Sequence, residues 1–153
     1  MARFTITFAV LVLMLLSLTE WHLVSATFYK TIHVTVHNGL GGNRELGLHC
    51  KADDRAGYKG DLGEQKIPDN GDFKWSFGRT PRDKYPLYYC EMTWEKAPNQ
   101  KVFATGIHIY DFHRDDPLCG KWCERTVKMD GVYAIDLEHQ KTIKLYSWKL
   151  DSY

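Results

Sequence analysis

Apolar and polar residues alternate with a period of two through most of this chain, and that pattern leaves little room for anything but β-structure. Ile32, Val34 and Val36 alternate with Thr31, His33, Thr35 and His37, the signature of a strand with one buried face. Leu46, Leu48 and Cys50 alternate again, and Phe73, Trp75 and Phe77 do so against Asp72, Lys74 and Ser76. Residues 87–94 place Tyr88, Cys90, Met92 and Trp94 on one face, and residues 101–110 read as the next strand. Residues 132–137 and 142–148 complete the series, and Asp130-Gly131 offers a type I′ hairpin turn before the first of them. GLGGN at 39–43 is a turn. A polar, glycine-punctuated stretch fills 51–71, and Asp111 to Pro117 reads as a polar loop. No stretch has helical periodicity, and there is no internal repeat. The expectation is an all-β, single-domain β-sandwich of about eight strands. Phe73, Trp75, Phe77, Tyr89, Trp94, Phe103 and Trp148 are expected to supply its core.

The first 26 residues stand apart from this pattern. Arg3 gives a short basic region, Phe8 to Leu18 is apolar apart from Ser17, and Val24-Ser25-Ala26 places small residues before a cleavage point. This is the composition of a secretory signal peptide, leaving 27–153 as the folded domain. The apolar run is about half the length a bilayer-spanning helix needs, which argues against membrane insertion. The formal net charge is only +1, without the basic stripe that a nucleic-acid partner requires. Oligomeric state is not legible.

All four cysteines, Cys50, Cys90, Cys119 and Cys123, follow the leader. An even number in an exported chain reads as two disulfides that staple the sandwich. Zinc is the rival, but Cys119 and Cys123 are the only close pair, so no second knuckle exists. Four cysteines allow three pairings, and spacing does not choose among them. A Cys119–Cys123 bridge would close a tiny loop and constrain the unfolded chain little, whereas bridges from Cys50 and Cys90 to the segment near residue 120 close long loops; of these, the nested pairing Cys50–Cys123 with Cys90–Cys119 is the expectation.

Taken in order, these segments resemble a known family. Val34-Thr35-Val36-His37-Asn38, His49-Cys50-Lys51-Ala52-Asp53-Asp54, Phe73-Lys74-Trp75-Ser76-Phe77, Tyr89-Cys90-Glu91-Met92-Thr93-Trp94, Cys119 with Cys123, and Asp130-Gly131-Val132-Tyr133 follow the pattern of the plant self-incompatibility S-protein homologues. The chain departs from that pattern where Arg55 to Gly60 precedes Asp61-Leu62-Gly63, and where Cys123-Glu124-Arg125 replaces Cys-x-Trp. The resemblance implies a secreted β-sandwich that acts as an extracellular signalling ligand. Its implied partner is a plant cell-surface receptor or membrane protein. A secreted defence protein acting on microbes or their hydrolases is the alternative.

The residues themselves do not assemble an enzyme. His33 and His37 share a strand face without a third metal ligand, and His108 with His113 lacks a cationic phosphate pocket. Asp53, Asp54 and Asp61 do not have calcium-loop spacing. No catalytic residue, metal or cofactor is expected. The best candidate for partner contact is the charged segment Asp111, His113, Arg114, Asp115 and Asp116, held near Cys119 and expected on the surface. The stretch from Lys51 to Gly63 competes for that role.

Overall fold

A computed structural model describes residues 30–53, 60–79 and 85–148. The expected leader 1–26, Asp54, and residues 55–59 of the inserted segment lie outside them. The described residues form nine strands and one helix: β1 Lys30–Asn38, β2 Leu46–Ala52, β3 Asp61–Ile67, β4 Asp72–Arg79, β5 Leu87–Ala97, β6 Gln100–Asp111, α1 Phe112–Cys119, β7 Trp122–Lys128, β8 Gly131–Asp136 and β9 Lys141–Ser147. One sheet has the order β4-β1-β7-β8-β9 and the other β3-β2-β5-β6. The β-sandwich expected from the alternation is what forms.

Alternation places one face of each inner strand in a shared core. Ile32, Val34 and Val36 from β1, Leu46 from β2, and Met92 from β5 are fully buried there. Burial of such side chains contributes roughly 1.5–3 kcal/mol each. Trp94 joins them, its ring centroid 4.8 Å from that of Trp148. Asn38 ends the β1 pattern for a different reason. Its buried side-chain amide donates to Arg44 O at 2.8 Å and Ile67 O at 2.9 Å, and its oxygen accepts from Leu40 N at 3.1 Å. Every polar atom is satisfied, so the glycine turn after β1 is pinned to the end of β3.

Several expectations need correction. The stretch 51–71 contains a strand, β3, because only Ile67 of that strand turns fully inward and an edge strand needs no apolar alternation. Phe103 is not core: it is 70 % exposed. It pairs with Thr93 on the outer face of β5, while the inward positions go to neighbours such as Val102 and Ala104. Tyr89 also lies on that outer face, and Tyr88 and Tyr110 take the buried places. The β7–β8 hairpin closes on the pair Lys128 and Gly131, but neither Met129 nor Asp130 has positive φ, so the turn is not type I′. Gly131 carries the unusual backbone instead, at φ 153°. A Cβ there would meet Tyr146 O at 1.9 Å, which only glycine avoids.

The disulfides also differ from the expected pairing. They are Cys50–Cys90 and Cys119–Cys123, not Cys50–Cys123 with Cys90–Cys119. Strand order is the physical cause. Cys50 and Cys90 are direct cross-strand partners in the four-stranded sheet, whereas Cys123 belongs to β7 of the other sheet. The segment Asp111–Pro117, expected as a loop, forms most of α1.

Candidate recognition surface

The charged segment begins where β6 runs into α1. Asp111 retains extended backbone, and its carboxylate accepts from His113 N at 3.0 Å. Its own N–H donates to Asp115 Oδ2 at 2.9 Å, so the first turn is capped from both directions. Gly120, at φ 59°, ends the helix and lets Cys119 reach Cys123 across a four-residue separation.

Asp115 then points into the protein, where both it and Arg125 are fully buried. Arg125 Nη2 lies 2.8 Å from Asp115 Oδ2. Arg114 donates to the same carboxylate through Nε and Nη2, both at 2.8 Å. With the Asp111 N–H, four donors fill the two oxygens, as an ionised carboxylate requires when it is taken out of water. Arg125 spends its other donors on Ile109 O and Glu124 O, each at 2.9 Å. Burial pushes the Arg125 guanidinium below its ordinary value, and the Asp115 charge opposes that. Burial acts on Arg114 in the same sense, but its bonds to Asp115 outweigh it and the value rises. Both arginines stay charged.

This arrangement withdraws most of the expected contact residues from solvent. Asp115 is interior and unavailable to a partner. Arg114 is held by Asp115, by Tyr146 OH at 3.2 Å and by His108 O at 2.9 Å. Asp116 binds Lys30 Nζ at 2.5 Å and Arg79 Nη1 at 3.4 Å, which ties the helix to β1 and β4. Asp111 is the cap. His113 alone of the five is exposed. Its ring lies 4.2 Å from that of Tyr85, which is 61 % exposed and stacks on Phe112 at 5.3 Å. The Arg79 guanidinium covers Phe112 at 3.9 Å. An aromatic group braced by a cation therefore stands where a charged loop was expected. Tyr85 had no sequence signal beyond an aromatic residue preceding a proline.

His33, His37, His49 and His139 each pair with a neighbouring side chain. His33 stacks flat on Trp122, 4.0 Å between centroids and 10° between planes. His37 meets Asp72 at 2.7 Å, His49 meets Asp61 at 2.6 Å and His139 meets Asp136 at 2.8 Å. Among the described residues, no three of His, Cys, Asp and Glu are grouped as metal ligands would be, and no helix is long and apolar enough to cross a membrane.

These carboxylates carry a pH prediction. The His37 hydrogen bond holds Asp72 below its ordinary value. The Gly63 N–H and then His49 do so for Asp61, as the His139 N–H does for Asp136. A carboxyl lowered by folding stabilises the fold above its unfolded value and loses that contribution as pH falls through the folded one. The part of the fall in Tm due to these groups therefore begins below about pH 4, the ordinary Asp value. Asp61 and Asp72 are exposed, so the effect of each is small. Thermal unfolding followed by circular dichroism at stepped pH checks this, and Asp72→Asn should make the acid fall shallower.

Together these features describe a two-disulfide β-sandwich whose charged centre is structural and which leaves Tyr85, Phe103 and Trp122 exposed, the class of a small disulfide-stapled β-domain. Comparison with known proteins narrows that class. The family described as plant self-incompatibility protein S1 matches residues 33–148. Self-incompatibility protein S1 of Papaver rhoeas is 31% identical over 117 residues, 76% of each chain. S-protein homolog 74 of Arabidopsis thaliana is 32% identical over 117 residues, 76% of this chain and 70% of that one. A solved self-incompatibility protein homologue, from a widespread family of small, highly stable, secreted plant proteins, covers 79% of this chain and 92% of its own at 24% identity and a TM-score of 0.46. The chain belongs to the plant self-incompatibility S1 family.

Proposed function

We propose that the protein is exported with its leader removed after Ala26 and acts outside the cell as a signalling ligand recognised by a plant cell-surface protein. Its kinship with self-incompatibility protein S1 over three quarters of both chains carries this reading. Two disulfides fit an oxidising destination. The contact assigned to the helix end is His113 with Tyr85, flanked by Asp111 and Asp116. Aromatic side chains of this kind bring large, rigid contact area at low entropic cost.

Intact-mass analysis of the secreted protein should show Thr27 first and the loss of four hydrogens. Labelled protein should bind plant plasma-membrane vesicles saturably, and Tyr85→Ala with His113→Ala should weaken that binding about tenfold, the scale of a modest hot spot. Growth inhibition of microbes without saturable vesicle binding would overturn the reading in favour of a defence role.

A further inference from the structure

The outer face of the four-stranded sheet has a feature that family membership does not explain. Register places Lys66, Gly47, Thr93 and Phe103 in one row across β3, β2, β5 and β6. At the usual strand spacing that row spans about 14 Å. Gly47 lowers the centre of the row, and the Thr93 hydroxyl occupies the space that a Cβ would take there. The result is a cleft of about 760 Å³ with Phe103 standing at its rim.

The charges around this cleft are unequal. Arg44, Lys66, Lys96 and Lys101 line it against Glu45 and Glu95. Both acids are engaged, Glu45 with Lys66 at 3.7 Å and Glu95 with the Asn99 N–H at 3.2 Å. Arg44 is fixed by the neutral carbonyls of Gly41 and Glu95, and among the described residues no carboxylate forms an ion pair with it. Lys96 and Lys101 have no ion-pair partner among the described residues. The cleft also lies beside an edge, because β6 ends the sheet order. An edge strand offers main-chain groups to an added strand.

We propose that this cleft docks an extended acidic segment of the partner protein. The segment lies along β6, sets carboxylates against Lys96 and Lys101, and rests an apolar side chain on Phe103. This rests on the reading of the protein as a ligand of a cell-surface protein, and it adds a second contact at the end of β6 remote from α1. A peptide suits the site better than an anionic polysaccharide, since β6 has no further strand beside it among the described residues and its edge asks for backbone amides.

The test titrates the secreted protein with three fluorescent probes: a peptide alternating Asp and Glu with Leu, the same peptide with Lys in place of the acids, and polygalacturonate. The acidic peptide should bind saturably and more weakly as salt rises. Its affinity should fall about tenfold or more in Lys96→Glu/Lys101→Glu and in Phe103→Ala. It should not change in Lys121→Glu/Lys141→Glu, which reverses one charge in the turn before β7 and one on β9. No binding of the acidic peptide, or equal binding of the lysine peptide, overturns the proposal. So does polygalacturonate binding that ignores Phe103→Ala, or a concentration-dependent dimer abolished by the cleft variants, in which a second copy fills the site. In the vesicle assay, full affinity of the cleft variants defeats the docking proposal and leaves the ligand reading intact. Absence of saturable wild-type binding defeats that reading, and the peptide titration still decides the cleft.

Discussion

Asp115→Ala is expected to cost about 3–5 kcal/mol, because it leaves Arg125 buried without its counter-charge. A domain of this size has roughly 5–15 kcal/mol in total, so the variant should stand near the edge of folding. Arg114 loses two bonds and the Asp111 N–H loses its acceptor in the same change. Replacing the pair together, as Asp115→Leu with Arg125→Met, should recover the part of the loss due to the unpaired Arg125 charge, while the bonds of Arg114 and the Asp111 N–H stay lost. Urea unfolding of the two variants beside wild type measures both quantities. A single variant that loses less than about 1 kcal/mol would show that water reaches Arg125 when the carboxylate is gone.

The second large effect separates the two disulfides. The Cys50–Cys90 bridge spans 40 residues and Cys119–Cys123 spans 4. In the chain-entropy account these loops are worth about 4 and about 2 kcal/mol. Cys50→Ala/Cys90→Ala should therefore unfold at markedly lower denaturant than Cys119→Ala/Cys123→Ala. Equal midpoints, or the reverse order, would mean that the small bridge acts through the folded state, by holding the end of α1 against β7.

Local chemistry explains which parts of the fold could be read in advance. β1, β2, β4 and β5 were legible because each buries one face, and burial imposes a period of two on the residues themselves. β3 was not, since an edge strand with Asp61, Glu64 and Lys66 facing out carries no such period. α1 was hidden for a related reason. It has eight residues with Pro117 inside, and its charges are spent on a cap and on a buried pair with Arg125, a residue on another element. Nothing in DFHRDD marks Asp115 as interior until β7 supplies Arg125. The disulfide pairing failed on topology. Loop length is a property of the unfolded chain, whereas the bridge forms between Cys50 and Cys90 because β2 and β5 are neighbours. Phe103 failed on register: the inward and outward positions of β6 are set by its pairing with β5, which its own sequence does not state.

The place of β1 has a consequence for how the molecule is made. It lies between β4 and β7, and its parallel partners run from Trp122 to Val127, some ninety positions later in the chain. The first strand therefore cannot complete its sheet until most of the polypeptide has emerged. Domains dominated by such distant pairings fold in milliseconds to seconds rather than microseconds. Until β7 has emerged, one edge of β1 stays unpaired, so the sheet remains open while the residues between them are made, the condition in which a polypeptide can be threaded across a membrane before it closes.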